Sequence, residues 1–94
     1  MRVLIVDDEP LARQRLARLV DESAGYQVVA EANNGQQAIE QANVHRPDIV
    51  LMDIRMPVMD GLQAALLLMT LDDPPAVIFC TAYDAYALEA FDAS

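Results

Sequence analysis

The sequence predicts an α/β fold in which a parallel sheet carries helices on both faces. Three observations predict it. Short, continuous apolar runs alternate with segments of helical period along the whole chain. Glycine, proline and asparagine punctuate nearly every boundary between them. The 94 residues, 54% hydrophobic and 22% charged, suit one small globular domain and are too few for two.

The elements follow in order. Val3–Val6 is a β-branched-rich run of the kind buried on both faces of a sheet. Pro10 suits the first turn of a helix, where a missing N–H costs nothing. Ala12, Leu16, Leu19 and Val20 form that helix's apolar stripe, with Arg13 and Arg15 pointing elsewhere and Gly25 ending it. Tyr26–Ala32 reads as the second strand, and Asn33-Asn34-Gly35 as a turn. Ala38, Ile39 and Ala42 mark the second helix, which Arg46-Pro47 stops. Asp48–Met52 is a third strand. Asp60 caps a third helix in which Leu62, Ala65, Leu66 and Met69 keep the i, i+3, i+4, i+7 spacing, and Asp72-Asp73-Pro74-Pro75 breaks it. Val77–Cys80 is the fourth strand, and Asp84–Phe91 a weaker fourth helix. Such a doubly wound sheet binds ligands outside the carboxyl ends of its strands, where the strand order reverses. The pattern alone leaves that order open.

Charge excludes one class of function. The net charge is -9, from 15 acids against 6 bases, so the chain offers no basic face for nucleic acid. It fits a cation or a basic partner. All six bases are arginine, and lysine is absent. No apolar run is long enough to span a bilayer, so no membrane role is expected. The single cysteine, Cys80, cannot form an internal disulfide, and a reducing cytoplasm is the simplest compartment.

The candidate site is acidic. Asp7 and Asp8 follow the first strand, and Asp53 follows the third. If those strands are neighbours, the three acids meet at one edge, with Thr81 joining from the end of the fourth. Packed carboxylates repel, and a divalent cation removes the conflict. Oxygen ligands favour magnesium, and the absence of histidine or cysteine nearby argues against zinc. A carboxylate beside such a cation can attack a phosphoryl group and form an acyl phosphate. A lone strand-end aspartate would be only a loop cap; the combination points to phosphoryl transfer. His45, the one histidine, reads as a helix-end residue, and Cys80 as core.

The residues that carry this chemistry also carry a resemblance. VLIVDDEP, PDIVLMDIRMPVMDG and VIFCTA, in this register, resemble the receiver domain of two-component response regulators, and the likeness covers the whole chain. LARQRLARLV and TAYDAYALEAFD resemble the AlgR/LytTR-type members in particular. The resemblance implies a flavodoxin-like doubly wound sheet in the order 2-1-3-4, with residues 1–94 a receiver domain truncated before the family's fifth strand and last helix. It makes Asp53 the phosphoacceptor, with Mg2+ held by Asp8, Asp53 and the Arg55 backbone carbonyl, and by Asp7 through water. Thr81 becomes the switch hydroxyl, and Pro57 and Gly61 shape the loop after the acceptor. A histidine kinase is the implied donor. A homodimer is an implied assembly, and DNA an implied partner only through a C-terminal output domain outside this chain.

The departure from the family lies in the lysine that pairs with the phosphate on the fifth strand, which this chain lacks. Without the family's fifth strand beside it, the fourth strand is expected to present an open edge, with lowered stability and self-association. The product of such a module is its own modified state, so it is not a turnover enzyme. An aspartyl-phosphate phosphatase would place a second acid two residues after the nucleophile, where this chain has Arg55. A phosphorylation-independent interaction module is the remaining alternative.

Overall fold

The computed structural model describes residues 1–80. Its elements run β1 (Arg2–Val6), α1 (Pro10–Asp21), β2 (Gln27–Ala32), α2 (Gly35–His45), β3 (Ile49–Met52), α3 (Gly61–Leu68) and β4 (Ala76–Phe79). The strands pair in parallel in the order β2-β1-β3-β4, the order implied by the resemblance. The chain steps from β1 outward to β2, then returns across β1 to β3, so the order reverses between β1 and β3. No helix among the described residues is long and apolar enough to cross a membrane. The fourth helix expected at Asp84–Phe91 lies outside the described residues.

The central strands are the most enclosed, β1 along Val3–Val6 and β3 at Val50 and Met52, because each face of the sheet has its own core. Leu4, Val6, Val50 and Met52 point to one side, where Ala38 and Ala42 of α2 and Ala64 and Leu68 of α3 close over them. Val3 and Ile5 point to the other, against Val20, Leu16 and Ala17 of α1. Side chains alternate across a strand, so an unbroken apolar run serves both layers at once. Small alanines on α2 and α3 let the helices approach the sheet closely.

One helix, α3, is rotated relative to the sequence expectation, and α1 departs from it at one position. In α3 the buried positions are Gly61, Ala64 and Leu68, whereas Leu62, Leu66 and Met69 are 55%, 68% and 68% exposed. The stripe has the expected period, displaced by one residue. A close backbone contact between Gly61 and Asp53 sets that phase. In α1, Leu16 and Val20 face the sheet as expected, with Ala17 beside them, whereas Leu19 is 56% exposed. Continuing that stripe one turn back reaches Arg13, which faces the strand ends and not solvent. Gly25 does not end α1, which stops at Asp21; it supplies the left-handed residue, φ 85°, of the following turn. Strand limits differ from expectation by one residue, with Tyr26, Asp48 and Cys80 just outside and Arg2 and Ala76 inside.

Candidate functional site

The acidic residues stand where the sheet ladder runs out. Val6 is paired with both Ala32 and Met52, and Met52 with Phe79. One step on, the Asp7 N–H donates to the Ala32 carbonyl (3.1 Å), the Asp53 N–H to the Val6 carbonyl (3.0 Å) and the Cys80 N–H to the Met52 carbonyl (2.8 Å). Parallel strands lie about 4.8 Å apart, so their first residues past the ladder must be neighbours. Asp7, Asp8 and Asp53 accordingly each offer a carboxylate oxygen within 4.8 Å of the others. The group contains no histidine or cysteine. Asp7 is buried, and Asp8 and Asp53 are half-buried.

This closeness has an electrostatic consequence. Burial raises the pKa of Asp53 above the ordinary carboxylate value, and the charges of Asp7 and Asp8 add to the rise; the backbone N–H groups of Arg55 and Ile54 oppose it. Asp7 is raised first by burial and then by Asp8, against a hydrogen bond from Glu9 and the charge of Arg13. Both acids are held in a setting that disfavours their own charge. An all-oxygen donor set with surplus negative charge, at a half-open edge, fits a hard divalent cation such as magnesium.

The loop after Asp53 is built to fold back beneath it. The Gly61 N–H donates to the Ile54 carbonyl (2.8 Å). A Cβ at Gly61 would lie 2.3 Å from the Asp53 carbonyl oxygen and 2.9 Å from the Ile54 Cα. Both are backbone atoms, so only glycine allows this approach. Asp60 then starts α3 with a capping box: its carboxylate accepts from the Gln63 N–H (2.9 Å), and the Gln63 side chain accepts from the Asp60 N–H (3.2 Å). Between them the Met59 N–H bonds to the Pro57 carbonyl (2.8 Å) across Val58, whose φ is 71°. That is a γ-turn of the positive-φ kind, a strained form for a β-branched residue. Met59 also packs on the start of α2, where a Cβ at Gly35 would meet its carbonyl at 2.7 Å.

The structure brings together Asp7, Asp8 and Asp53, and places Pro57 and Gly61 in the loop that shapes Asp53's surroundings. Arg55 is exposed, and its N–H donates to Asp53 Oδ1 over 3.4 Å. Thr81 lies outside the described residues, directly after Cys80 in sequence. Cys80 is half-buried at the end of β4, less enclosed than the core role expected of it. His45 sits in the last turn of α2, at the opposite end of the sheet from the acids.

One residue at the site escaped the sequence reading. Arg13 donates through Nη1 to the Asp7 carbonyl (2.8 Å), and its Nε lies 3.5 Å from Glu31 Oε1 on β2. The signal was present: positions 13, 16, 17 and 20 keep i, i+3, i+4, i+7 spacing, with an arginine at the end nearest the strand tips. Helical side chains lean toward the N-terminus, so a long one there reaches back over the preceding loop.

Comparison with known proteins agrees with this geometry. The family model described as response regulator receiver domain matches residues 3–94. The positive alginate biosynthesis regulatory protein of Pseudomonas aeruginosa is 60% identical over 95 residues, covering 100% of this chain and 38% of that protein. The transcriptional regulatory protein LytR of Staphylococcus aureus is 37% identical over 92 residues, covering 98% of this chain and 37% of its own length. The chain thus spans little more than a third of these relatives. Among solved structures, a CheX-CheY-BeF3-Mg2+ complex from Borrelia burgdorferi superposes with a TM-score of 0.79 at 32% identity, covering 94% of this chain and 66% of that one.

Proposed function

Because the chain belongs to the response regulator receiver domain family, we propose that it is a magnesium-dependent phosphoacceptor, with Asp53 taking the phosphoryl group. The observation that carries this reading is the convergence of three carboxylates at the switch between β1 and β3. In the proposed step a carboxylate oxygen of Asp53 forms a bond to phosphorus as the P–N bond of a kinase phosphohistidine breaks, and the imidazole leaves with the bonding electrons. Asp8, Asp53 and the Arg55 carbonyl would hold Mg2+, with Asp7 acting through a bound water. The cation would neutralise the charge that gathers on the transferring group. Asp7 is suited to its indirect role, since its Oδ1 already accepts from the Glu9 N–H at 2.9 Å. The Thr81 hydroxyl would then bond to a phosphoryl oxygen and report the change. A similar solved structure is a complex with Mg2+ and BeF3, which supports Mg2+ as the cation.

The output proposed for the parent protein is transcription control through a LytTR-type DNA-binding domain. Its support is the similarity to an alginate regulator and to a transcriptional regulator, together with the TAYDAYALEAFD segment. A histidine kinase and a homodimer are the proposed partners, and the cytoplasm the proposed compartment. Incubation with a small phosphodonor and Mg2+ followed by intact mass tests the reading. A gain of one phosphoryl group that requires Mg2+ and is abolished by Asp53→Asn is expected; no gain would overturn it.

A further inference from the structure

The Asp7–Asp8 peptide is held from several directions. The Asp7 N–H is bonded to Ala32 of β2, and Asp7 Oδ1 accepts from Glu9. Its carbonyl receives Arg13 Nη1 at 2.8 Å, while the same guanidinium lies 3.5 Å from Glu31. Arg13 therefore ties the tips of β1 and β2 to the first turns of α1. Because the peptide is planar and trans, fixing the Asp7 carbonyl also fixes the direction of the Asp8 N–H, and with it the direction in which Asp8 leaves the strand.

We infer that Arg13 is a positioning residue for the cation site, aligning the Asp7–Asp8 peptide so that Asp8 and Asp53 present their oxygens to one ion. The inference rests on the reading of Asp7, Asp8 and Asp53 as that site. Arg13 touches neither the ion nor the phosphoryl group. Its charge alone works the other way, since a guanidinium near a dication repels it. Positioning and charge thus predict opposite signs for the same substitution.

The test is Mg2+ titration by calorimetry on the full chain, comparing wild type, Arg13→Ala, Arg13→Lys, Glu31→Gln and Asp53→Asn, with thermal unfolding in chelator as the folding control. Arg13→Ala is expected to weaken Mg2+ binding about tenfold, the usual scale for residues that orient ligands. Arg13→Lys keeps the charge and an N–H for the Asp7 carbonyl but loses the fork, and is expected to recover part of the affinity. Glu31→Gln is expected to fall between wild type and Arg13→Ala. Unchanged or tighter binding by Arg13→Ala would overturn the inference while leaving the site reading intact, provided wild type binds and Asp53→Asn does not. Should Arg13→Ala fail to fold, Arg13→Lys carries the test, and wild-type affinity in that variant overturns the inference. Absence of binding by wild type overturns the site reading and this inference together.

Discussion

Replacing Asp53 by asparagine should stabilise the metal-free protein. Asp53 shares its site with Asp7 and Asp8, all three offering oxygens within 4.8 Å. At that separation two unit charges repel by about 0.9 kcal/mol in water-like surroundings and about 3.5 kcal/mol at an effective dielectric of 20. Asp53 is half-buried at an edge open to solvent, so the screened figure is the better guide. With two neighbours, Asp53→Asn removes about 2 kcal/mol of repulsion. Little is lost in exchange, because an amide oxygen can still accept the long 3.4 Å bond from the Arg55 N–H. For a domain of this size, 2 kcal/mol corresponds to a rise in Tm of roughly 8–16 °C. Urea or thermal unfolding in chelator measures the gain. In Mg2+ the order should narrow or reverse, since wild type gains about 2.7 kcal/mol once the cation reaches a hundred times its Kd. A variant no more stable than wild type in chelator, or an equal Mg2+ effect on both, would refute the reasoning.

Three further outcomes follow from the same geometry. Gly61→Ala should cost on the order of 1–3 kcal/mol in urea unfolding, because its Cβ would press on the Asp53 carbonyl and the Ile54 Cα; a neutral result would remove the close approach as the reason for glycine. Val58→Gly should stabilise by about 1 kcal/mol in the same assay by relieving the positive-φ turn, and a loss of stability would show that the valine side chain matters more than its backbone. In chelator, the contribution of Asp7 and Asp53 should grow on mild acidification. Their pKa values are raised on folding, so between those values and the ordinary 3.8 the native state binds more protons than the unfolded chain, and stability falls as pH rises. Urea midpoints measured downward from neutral pH should therefore rise in wild type more than in Asp53→Asn; equal slopes would contradict the sign.

How much of this was legible in the sequence differs from element to element. The inner strands were, because Val3–Val6 and Ile49–Met52 are apolar throughout, and runs so short suit a strand buried on both faces. The acids were legible as strand-end residues, and the strand order that brings them together came through the family resemblance. The rotational phase of α3 was not. Leu62, Leu66 and Met69 form the more apolar stripe, yet the contact of Gly61 with the Asp53 backbone, reinforced by the Asp60 cap, turns Ala64 and Leu68 inward. A close approach between residues eight apart in sequence leaves no periodic trace. Arg13 was missed for a related reason. Its side chain read as pointing away from the apolar stripe of α1, and only the position of the β1 and β2 tips shows that it has partners there.

The central claim is that Asp53, and not a neighbouring acid, carries the phosphoryl group. An acyl phosphate is reduced by borohydride to the alcohol, which converts an aspartyl phosphate into homoserine at its own position. Treating the chain with a phosphodonor and Mg2+, then borohydride, and sequencing the peptides by mass spectrometry reads the site directly. Homoserine at position 53, dependent on both donor and Mg2+, is the predicted result. Homoserine at position 7 or 8 with Asp53 unmodified, or at none of the three, would contradict it.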